Sequence, residues 1–272
     1  YNPTLTTSFV TYSYTLTTAE ADNITDYANL RLKFVGNSSA AKCVHVSWAE
    51  FEVPDINAIP TVSAVNLTPS PIVLTENTTT TVTCTATITD TDGGVTISSA
   101  TGTIYRSGVG YSCSQDDNNC YPNKTCTLSA ADGNNKYATC TADIWFHADP
   151  TDAGVYEGET WQCYIIAEDD QAATATNTDD TPPELNTLNA LIVTGSISYG
   201  TLAAGATSSA SEIVVATTTG NAAIDVNISG TDMTTSTYSI PVSHQEYATS
   251  SVDYGSGTDA SNTATALVLE SG

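Results

Sequence analysis

The chain has 272 residues and carries 30 Asp and Glu against six Lys and Arg, which gives a formal net charge of -24. Nucleic acid and anionic membranes are therefore not expected as partners, because a surface that neutralises phosphates needs clustered basic residues. No apolar run approaches the roughly 18 residues that span a bilayer, so membrane insertion is not expected either.

The seven cysteines indicate the compartment. Five of them lie between residues 113 and 163, in a segment rich in turn-forming residues. Cytosolic thiols are kept reduced, so a cysteine-dense segment of this kind is typical of proteins that fold outside the cytosol. We expect an extracellular or cell-surface protein.

Short segments of alternating apolar and polar residues recur between turn signals, and helical periodicity is almost absent, so the predicted fold class is all-β with antiparallel sheets. Proline and charge clusters at residues 54–60 and 181–186 divide the chain. This division predicts an N-terminal β segment over residues 1–58, a disulfide-linked sandwich over residues 59–182 and a second sandwich over residues 188–272.

The N-terminal segment has three alternating runs, which predict strands at residues 10–16, 30–34 and 44–48. Three strands make a poor independent domain, so their apolar face needs cover from the next domain or from another subunit. Cys43 lies on the polar side of the third run. It is predicted to be a free or domain-joining thiol, or alternatively a cross-link to another chain.

The middle segment places two cysteines in a predicted core. Every even residue from Val82 to Ile88 is apolar and every odd one is Thr, so Cys84 points inward. Cys163 likewise shares its face with Trp161. A bridge between the two cysteines would join two stacked sheets and, in the chain-entropy model, contribute about 4 kcal/mol.

The remaining cysteines of the middle segment predict local bridges. Cys126 and Cys140 lie symmetrically about Gly133 in a predicted hairpin and can pair across it. Cys113 and Cys120 then close a polar loop. Zinc is the competing interpretation, but the segment lacks a Cys-x2-Cys pair and the three histidines are far apart in sequence.

A family resemblance covers about residues 60 to 180. Its residues are Val82-Thr83-Cys84, the run Asp152-Ala153-Gly154-Val155-Tyr156, Trp161-Gln162-Cys163 and the turn Asp90-Thr91-Asp92-Gly93. These motifs resemble the immunoglobulin-like β-sandwich modules of bacterial and archaeal cell-surface and extracellular filament proteins. The resemblance implies tandem immunoglobulin-like sandwiches preceded by the N-terminal β segment.

The last segment has predicted strands at residues 191–193, 213–215, 224–228 and 267–269, and it resembles a second sandwich that ends one strand short. An open sheet edge is well satisfied by an extended strand from elsewhere. Insertion into the next subunit would build a head-to-tail filament, whereas the alternative is that the missing strand lies beyond Gly272. The uncharged N-terminal run is the predicted donor strand, with its apolar residues Phe9, Val10, Tyr12, Tyr14 and Leu16.

The sequence calls for no cofactor, and calcium and covalent glycans are the two ligands that its motifs allow. Carboxylates at Asp90, Asp92 and Asp169 follow neighbouring strands, and clustered hard oxygens suit calcium, although an acidic turn is more often simply solvated. Covalent glycans are the second kind. Sequons for N-linked glycans occur at Asn23, Asn37, Asn66, Asn77, Asn123 and Asn227.

No enzyme is predicted, because the chain has no Gly-x-Ser-x-Gly elbow and no His-Glu-x-x-His helix. The predicted function is a structural subunit of an extracellular, pilus-like filament or a surface layer, with copies of the chain itself as partners. The alternative is a cell-surface adhesin or carbohydrate-binding module whose contact surface is the loop from Cys113 to Cys126, with Tyr111 and Tyr121.

Overall fold

The structure is a computed structural model that describes residues 8, 10–21, 23, 24, 31, 33, 49, 57–208 and 211–267. The chain divides into two compact units, Tyr1–Ile56 and Asn57–Gly272. Its sheets are antiparallel throughout, which confirms the predicted all-β class. None of the helices in the described ranges is long and apolar enough to cross a membrane.

The first unit contains a one-turn helix, α1 (Thr18–Ala21). Thr17 and Glu20 form a capping box before it: the Thr17 amide donates to Glu20 Oε2 at 2.8 Å, and the Glu20 amide donates to Thr17 Oγ1 at 3.4 Å. Residues 10–17 form no strand within this chain, contrary to the predicted run at residues 10–16. Phe9, Asn37 and Cys43, with most of the two later predicted strands, lie outside the described residues.

The second unit begins with two four-stranded sheets. The first has the order β1-β2-β6-β5 and the second has the order β4-β3-β7-β8. All neighbours within each sheet are antiparallel. The strands are β1 (Thr61–Thr68), β2 (Thr79–Thr89), β3 (Ile97–Arg106), β4 (Cys120–Thr125), β5 (Thr127–Leu128), β6 (Asn135–Trp145), β7 (Trp161–Asp169) and β8 (Thr174–Thr178).

The two sheets enclose one core, which makes this part of the chain a β-sandwich. Val82, Cys84, Ala86 and Ile88 on β2 are buried, as their alternation with Thr predicts. On β7 the buried residues are again alternate ones, beginning with Trp161. One apolar face of each sheet is therefore removed from water against the other.

The structure contains the three predicted disulfides, Cys84–Cys163, Cys113–Cys120 and Cys126–Cys140. The first joins β2 of one sheet to β7 of the other, with a Cα–Cα distance of 6.2 Å. Cys140 lies directly opposite Cys84 in the β2–β6 ladder, so two bridges are neighbours in the core. Gly102 on β3 makes room for them, because a Cβ there would lie 3.0 Å from Cys140 Sγ.

The segment at residues 181–186, predicted as a joint between domains, packs against the sandwich. Leu185 is fully buried and forms a parallel bridge with Ile72. The amides of Thr151 and Trp161 donate to main-chain oxygens of Leu185 and Pro183 at 2.9 Å each. The sandwich core therefore extends past the proline pair to residue 185.

Four two-stranded ribbons follow; the strands of two of them lie close to the strands predicted from the sequence, and the other two, between residues 233 and 259, were not predicted. Among residues 188–208 and 211–267, Val242 is the one large apolar side chain that is buried. The second sandwich therefore stays a prediction. The ribbons pair β9 (Leu191–Thr194) with β10 (Val215–Thr218), β11 (Val226–Ile228) with β16 (Thr265–Leu267), β12 (Met233–Thr234) with β13 (Ser239–Ile240), and β14 (Glu246–Tyr247) with β15 (Thr258–Asp259).

Candidate functional site

An acidic turn follows β2. The Asp92 amide donates to Asp90 Oδ1 at 2.9 Å, and the Gly93 amide donates to the Asp90 carbonyl oxygen at 3.1 Å, so the Asp90 side chain holds the turn. Gly93 has φ +117°, which the missing Cβ allows. Asp90 itself has no exposed surface, while Asp92 is exposed.

Asp169 lies at the same end of the sandwich, at the last position of β7. It is buried, and its Oδ1 accepts hydrogen bonds from the amides of Gln171 and Ala173 at 2.9 and 2.8 Å. Its Oδ2 accepts one from Asn57 Nδ2 at 2.8 Å. The Asn57 hydrogen bond is the main cause that lowers the pKa of Asp169, and the two amides act in the same direction.

Residues 57 and 58 connect the two acidic segments. Asn57 bonds to Asp169, and the next amide, Ala58, donates to Asp92 Oδ2 at 2.6 Å. The chain therefore enters the sandwich between the turn after β2 and the end of β7. We call the group Asn57, Asp90, Asp92 and Asp169 the acidic end.

Two buried oxygens at the acidic end have no hydrogen-bond partner, namely Asp90 Oδ2 and Asn57 Oδ1. No group of three or more His, Cys, Asp or Glu in the described ranges is arranged to hold a metal ion. Calcium at Asp90, Asp92 and Asp169 together therefore stays a prediction. Asn57 was not singled out from the sequence, because its partner is 112 residues away.

The opposite end of the sandwich holds the start of the last segment. Asn221 Nδ2 donates to the carbonyl oxygens of Ala148 and Asn186 at 3.0 and 3.2 Å, and its Oδ1 accepts from the Leu188 amide at 2.6 Å. The Asn77 amide, just before β2, donates to the Thr219 carbonyl oxygen at 3.1 Å. Residues 57 and 58 therefore lie near the C-terminal end of β2, and residues 219–221 lie near its N-terminal end. The 11 residues of β2 separate these two places by about 30 Å.

Two exposed apolar surfaces lie outside the sandwich. The first is the N-terminal run, in which Val10, Tyr12, Tyr14 and Leu16 are between 39 and 51% exposed. The second is the β9–β10 ribbon, in which all eight residues are exposed. In the described chain each ribbon strand has a single ladder partner, so each presents one unpaired edge.

The disulfide-linked loop does not present both predicted tyrosines. Tyr111 is exposed and stacks on Tyr164 with ring centroids 4.1 Å apart. Tyr121 is buried; its hydroxyl donates to the Asp117 carbonyl oxygen at 2.6 Å and accepts from the Trp145 amide at 3.0 Å. Burial raises the pKa of Tyr121 to about 12. Tyr121 is therefore a core residue, and only Tyr111 remains as a predicted contact in this loop.

Arg106 is the centre of a partly buried ionic cluster that no local sequence pattern indicates. Its Nε bonds Asp149 Oδ2 at 3.0 Å, its Nη1 bonds Glu159, and its guanidinium lies 3.7 Å from the ring centroid of Tyr156. Burial raises the pKa of Asp149, although Arg106 acts in the opposite direction. The carboxylates thus already have a cationic partner, and the cluster is structural.

Five of the six predicted glycosylation sites fall in the described chain: Asn23, Asn66, Asn77, Asn123 and Asn227, and all five are exposed. Exposure is a requirement for modification of a folded chain, so these sites stay available as predicted. Asn37 lies outside the described residues.

Comparison of the chain with protein-family models, with curated proteins and with solved structures finds no match.

Proposed function

We propose that this protein is a structural subunit of an extracellular filament or surface layer, in which the N-terminal run of one copy pairs as a strand with the β9–β10 ribbon of the next copy. The observation that carries the proposal is the coexistence of two exposed apolar β-prone surfaces in one chain. The two surfaces suit each other, because an uncharged, β-prone run can pair along an open strand edge and the ribbon presents such an edge.

The preceding and following segments of the chain join the sandwich at opposite ends, which supports a linear assembly. Residues 57–60 lie beside the acidic end, and the segment that leads to β9 begins at the opposite end. A contact between different surfaces of successive copies is heterologous, and it produces an open filament when its rotation does not close a ring. The 17 uncharged residues before Thr18 contain no Asp, Glu, Lys or Arg that would have to be buried in such a contact.

An immunoglobulin-like identity for residues 61–178 is part of the proposal. The order β1-β2-β6-β5 corresponds to strands A-B-E-D, and the order β4-β3-β7-β8 adds one strand to C-F-G. The Cys84–Cys163 bridge joins β2 to β7, which is the B–F position of antibody domains. The second, tandem sandwich would form when a strand from another copy covers the ribbons.

Extracellular localisation is proposed on the same basis. Three disulfides stabilise the sandwich, and such bridges persist in oxidising compartments. The net charge of -24 gives a surface that stays dispersed until specific contacts bring copies together.

Mixed cysteine cross-linking tests the proposal. Two preparations both carry Cys43→Ser; one also carries Val10→Cys and the other carries Ile192→Cys. The bridge to be detected joins position 10 of one copy to position 192 of another, so neither preparation can form it alone. We expect covalent heterodimers on mixing under mild oxidation. The matched control replaces Ile192→Cys with Val155→Cys, an exposed valine on the sandwich. Equal yields from Ile192→Cys and Val155→Cys would reject the proposed pairing.

The carbohydrate-binding alternative has one observation in its favour, the exposed Tyr111 ring stacked on Tyr164. Stacked aromatic faces are amphipathic contact surfaces. Glycan-array binding that disappears in Tyr111→Ala, while the Cys113–Cys120 bridge is retained, would support this function. Absence of binding by the unmodified chain would reject it.

A further inference from the structure

The geometry points to a calcium site at the acidic end, with the two unpaired oxygens Asp90 Oδ2 and Asn57 Oδ1 as its side-chain ligands. This inference does not depend on the proposed strand exchange, because every ligand belongs to the same unit of one chain. It also differs from the site predicted from sequence, since the Asn57 amide oxygen takes the place of the Asp92 and Asp169 carboxylates.

The first support is the buried carboxylate of Asp90. One of its oxygens holds the turn by accepting from the Asp92 amide, and the other has no partner although the residue has no exposed surface. A buried, unpaired carboxylate oxygen is strongly unfavourable, so native proteins normally compensate it with a donor, an ordered water or an ion.

The second support is Asn57, whose orientation is fixed by its neighbour. Its Nδ2 donates to Asp169 Oδ2, an atom that accepts, so the amide oxygen must face the other way. That oxygen is buried and unpaired as well. Two unsatisfied side-chain acceptors at one end of the sandwich, and no unsatisfied buried side-chain donor in the described ranges, indicate that the missing partner is positive or donates hydrogen bonds.

Nearby groups do not supply that partner. The Lys136 ammonium donates to the Ile97 carbonyl oxygen at 2.7 Å, and the structure shows no ion pair between it and Asp90 or Asp169. Asp92 is engaged with the Ala58 amide, and the backbone amides after β7 are already bonded to Asp169 Oδ1.

The ligand chemistry favours calcium over other common cations. Both candidate ligands are hard oxygens, one of them from a carboxylate, and neither sulfur nor imidazole takes part, which disfavours zinc and copper. Calcium accepts six to eight oxygens in a flexible arrangement, so main-chain carbonyls and water can complete the shell. Magnesium requires near-ideal octahedral geometry and gives up its water reluctantly.

Thermal unfolding of the full chain, stripped of divalent ions, tests the site. We expect the melting temperature to rise with calcium and to saturate, with a midpoint in the range of about 10⁻⁴ to 10⁻³ M, as for extracellular calcium modules. Magnesium at equal ionic strength provides the control for screening of the -24 charge. A calcium response no larger than the magnesium response would overturn the inference and leave the two oxygens to buried water.

Two variants locate the site. Asp90→Asn keeps an oxygen for the Asp92 amide but removes the charge, and we expect the calcium midpoint to rise at least tenfold. Asp116→Asn is the matched control, because Asp116 forms the same turn: its Oδ1 accepts from the amide two residues later, at 2.9 Å, on an exposed loop. Equal calcium responses in the two variants would contradict the assignment.

A third variant keeps the test decisive if Asp90→Asn does not fold. Asn57→Ala removes the proposed amide ligand and leaves the Asp90 carboxylate in place. We expect it to fold and to lose most of the calcium-dependent rise. An unchanged calcium midpoint in Asn57→Ala would remove Asn57 from the site and overturn the inference as stated.

Discussion

The sandwich at residues 61–186 and the ribbons at residues 188–267 have similar contents of Thr, Val and Ile. They differ in how far their apolar side chains are buried. In the sandwich, alternate residues of β2 and β7 are buried against each other. In the β9–β10 ribbon, the same residue types are exposed on both faces. Strand-forming sequence is therefore not sufficient: two sheets must face each other before burial stabilises either.

The largest expected effect is the loss of stability when a disulfide of the sandwich is removed. In the chain-entropy model, removing Cys84–Cys163, with its separation of 79 residues, costs about 4.5 kcal/mol. The same model gives about 3 kcal/mol for Cys126–Cys140 and about 2.4 kcal/mol for Cys113–Cys120, which enclose 14 and 7 residues. We expect paired Cys→Ala variants to follow this order in urea unfolding. A larger loss for the short loop would contradict the account.

Gly102→Ala tests the packing around the neighbouring bridges. The new Cβ would lie 3.0 Å from Cys140 Sγ and 3.1 Å from Cys140 Cβ, atoms that the disulfide holds in place. We expect a loss of about 1 to 3 kcal/mol in unfolding free energy. The control is Gly110→Ala, which has no atom within 4 Å of its Cβ position but a φ of +76°. Gly110→Ala should cost less, and an unfolding curve for Gly102→Ala that matches the unmodified chain would show that the core is loosely packed.

The Asp152–Thr187 contact gives a pH-dependent test where the sandwich meets the last segment. Burial acts to raise the pKa of Asp152, but hydrogen bonds from Thr187 Oγ1 and its amide, at 2.7 and 2.8 Å, leave it below its ordinary value. A lowered folded pKa contributes stability that is present above the unfolded value of 3.8 and is lost as pH falls through the folded pKa.

Thr187→Val removes the hydroxyl donor, so we expect a loss of under about 1 kcal/mol at pH 7, because the site is exposed. The difference from the unmodified chain should shrink as the pH falls below 3.8. Urea unfolding at pH 7 and pH 3 measures both. A stability difference that grows on acidification would contradict the lowered pKa of Asp152 in the folded chain.

The smallest effect is expected in the ribbons of a single chain. Ile192→Thr changes an exposed side chain, so we expect its unfolding free energy to change by less than about 0.5 kcal/mol. Ile165→Thr, at a fully buried position of β7, is the matched control and should cost several-fold more. A large loss for Ile192→Thr in dilute solution would mean that the ribbon is already covered.

The parts of the fold that were predicted from sequence depend on local patterns. Alternation placed Cys84 and Cys163 inward, and symmetry about Gly133 predicted the hairpin, where Asp132 and Asn135 exchange backbone hydrogen bonds. The capping box Thr17-x-x-Glu20 is also a local signal, and it begins directly after the predicted strand at residues 10–16.

The parts that were not predicted depend on distant contacts. Leu185 follows two prolines and was assigned to a joint, yet its parallel bridge to Ile72 places it in the core. Asn57 acts through Asp169, and nothing in the sequence near residue 57 indicates that partner. Tyr121 and Tyr111 look equivalent in sequence, but Tyr121 lies on β4 opposite Ile104 and is buried, whereas Tyr111 lies in the loop before β4 and is exposed.

Negative-stain electron microscopy of the full chain at increasing concentration tests the central proposal most directly. We predict fibres or a lattice whose appearance is abolished by Val10→Asp and unaffected by Val155→Asp, since both valines are exposed but only Val10 belongs to the donor run. Discrete single particles at every concentration, from chains whose disulfides and sandwich are intact, would contradict strand exchange between copies.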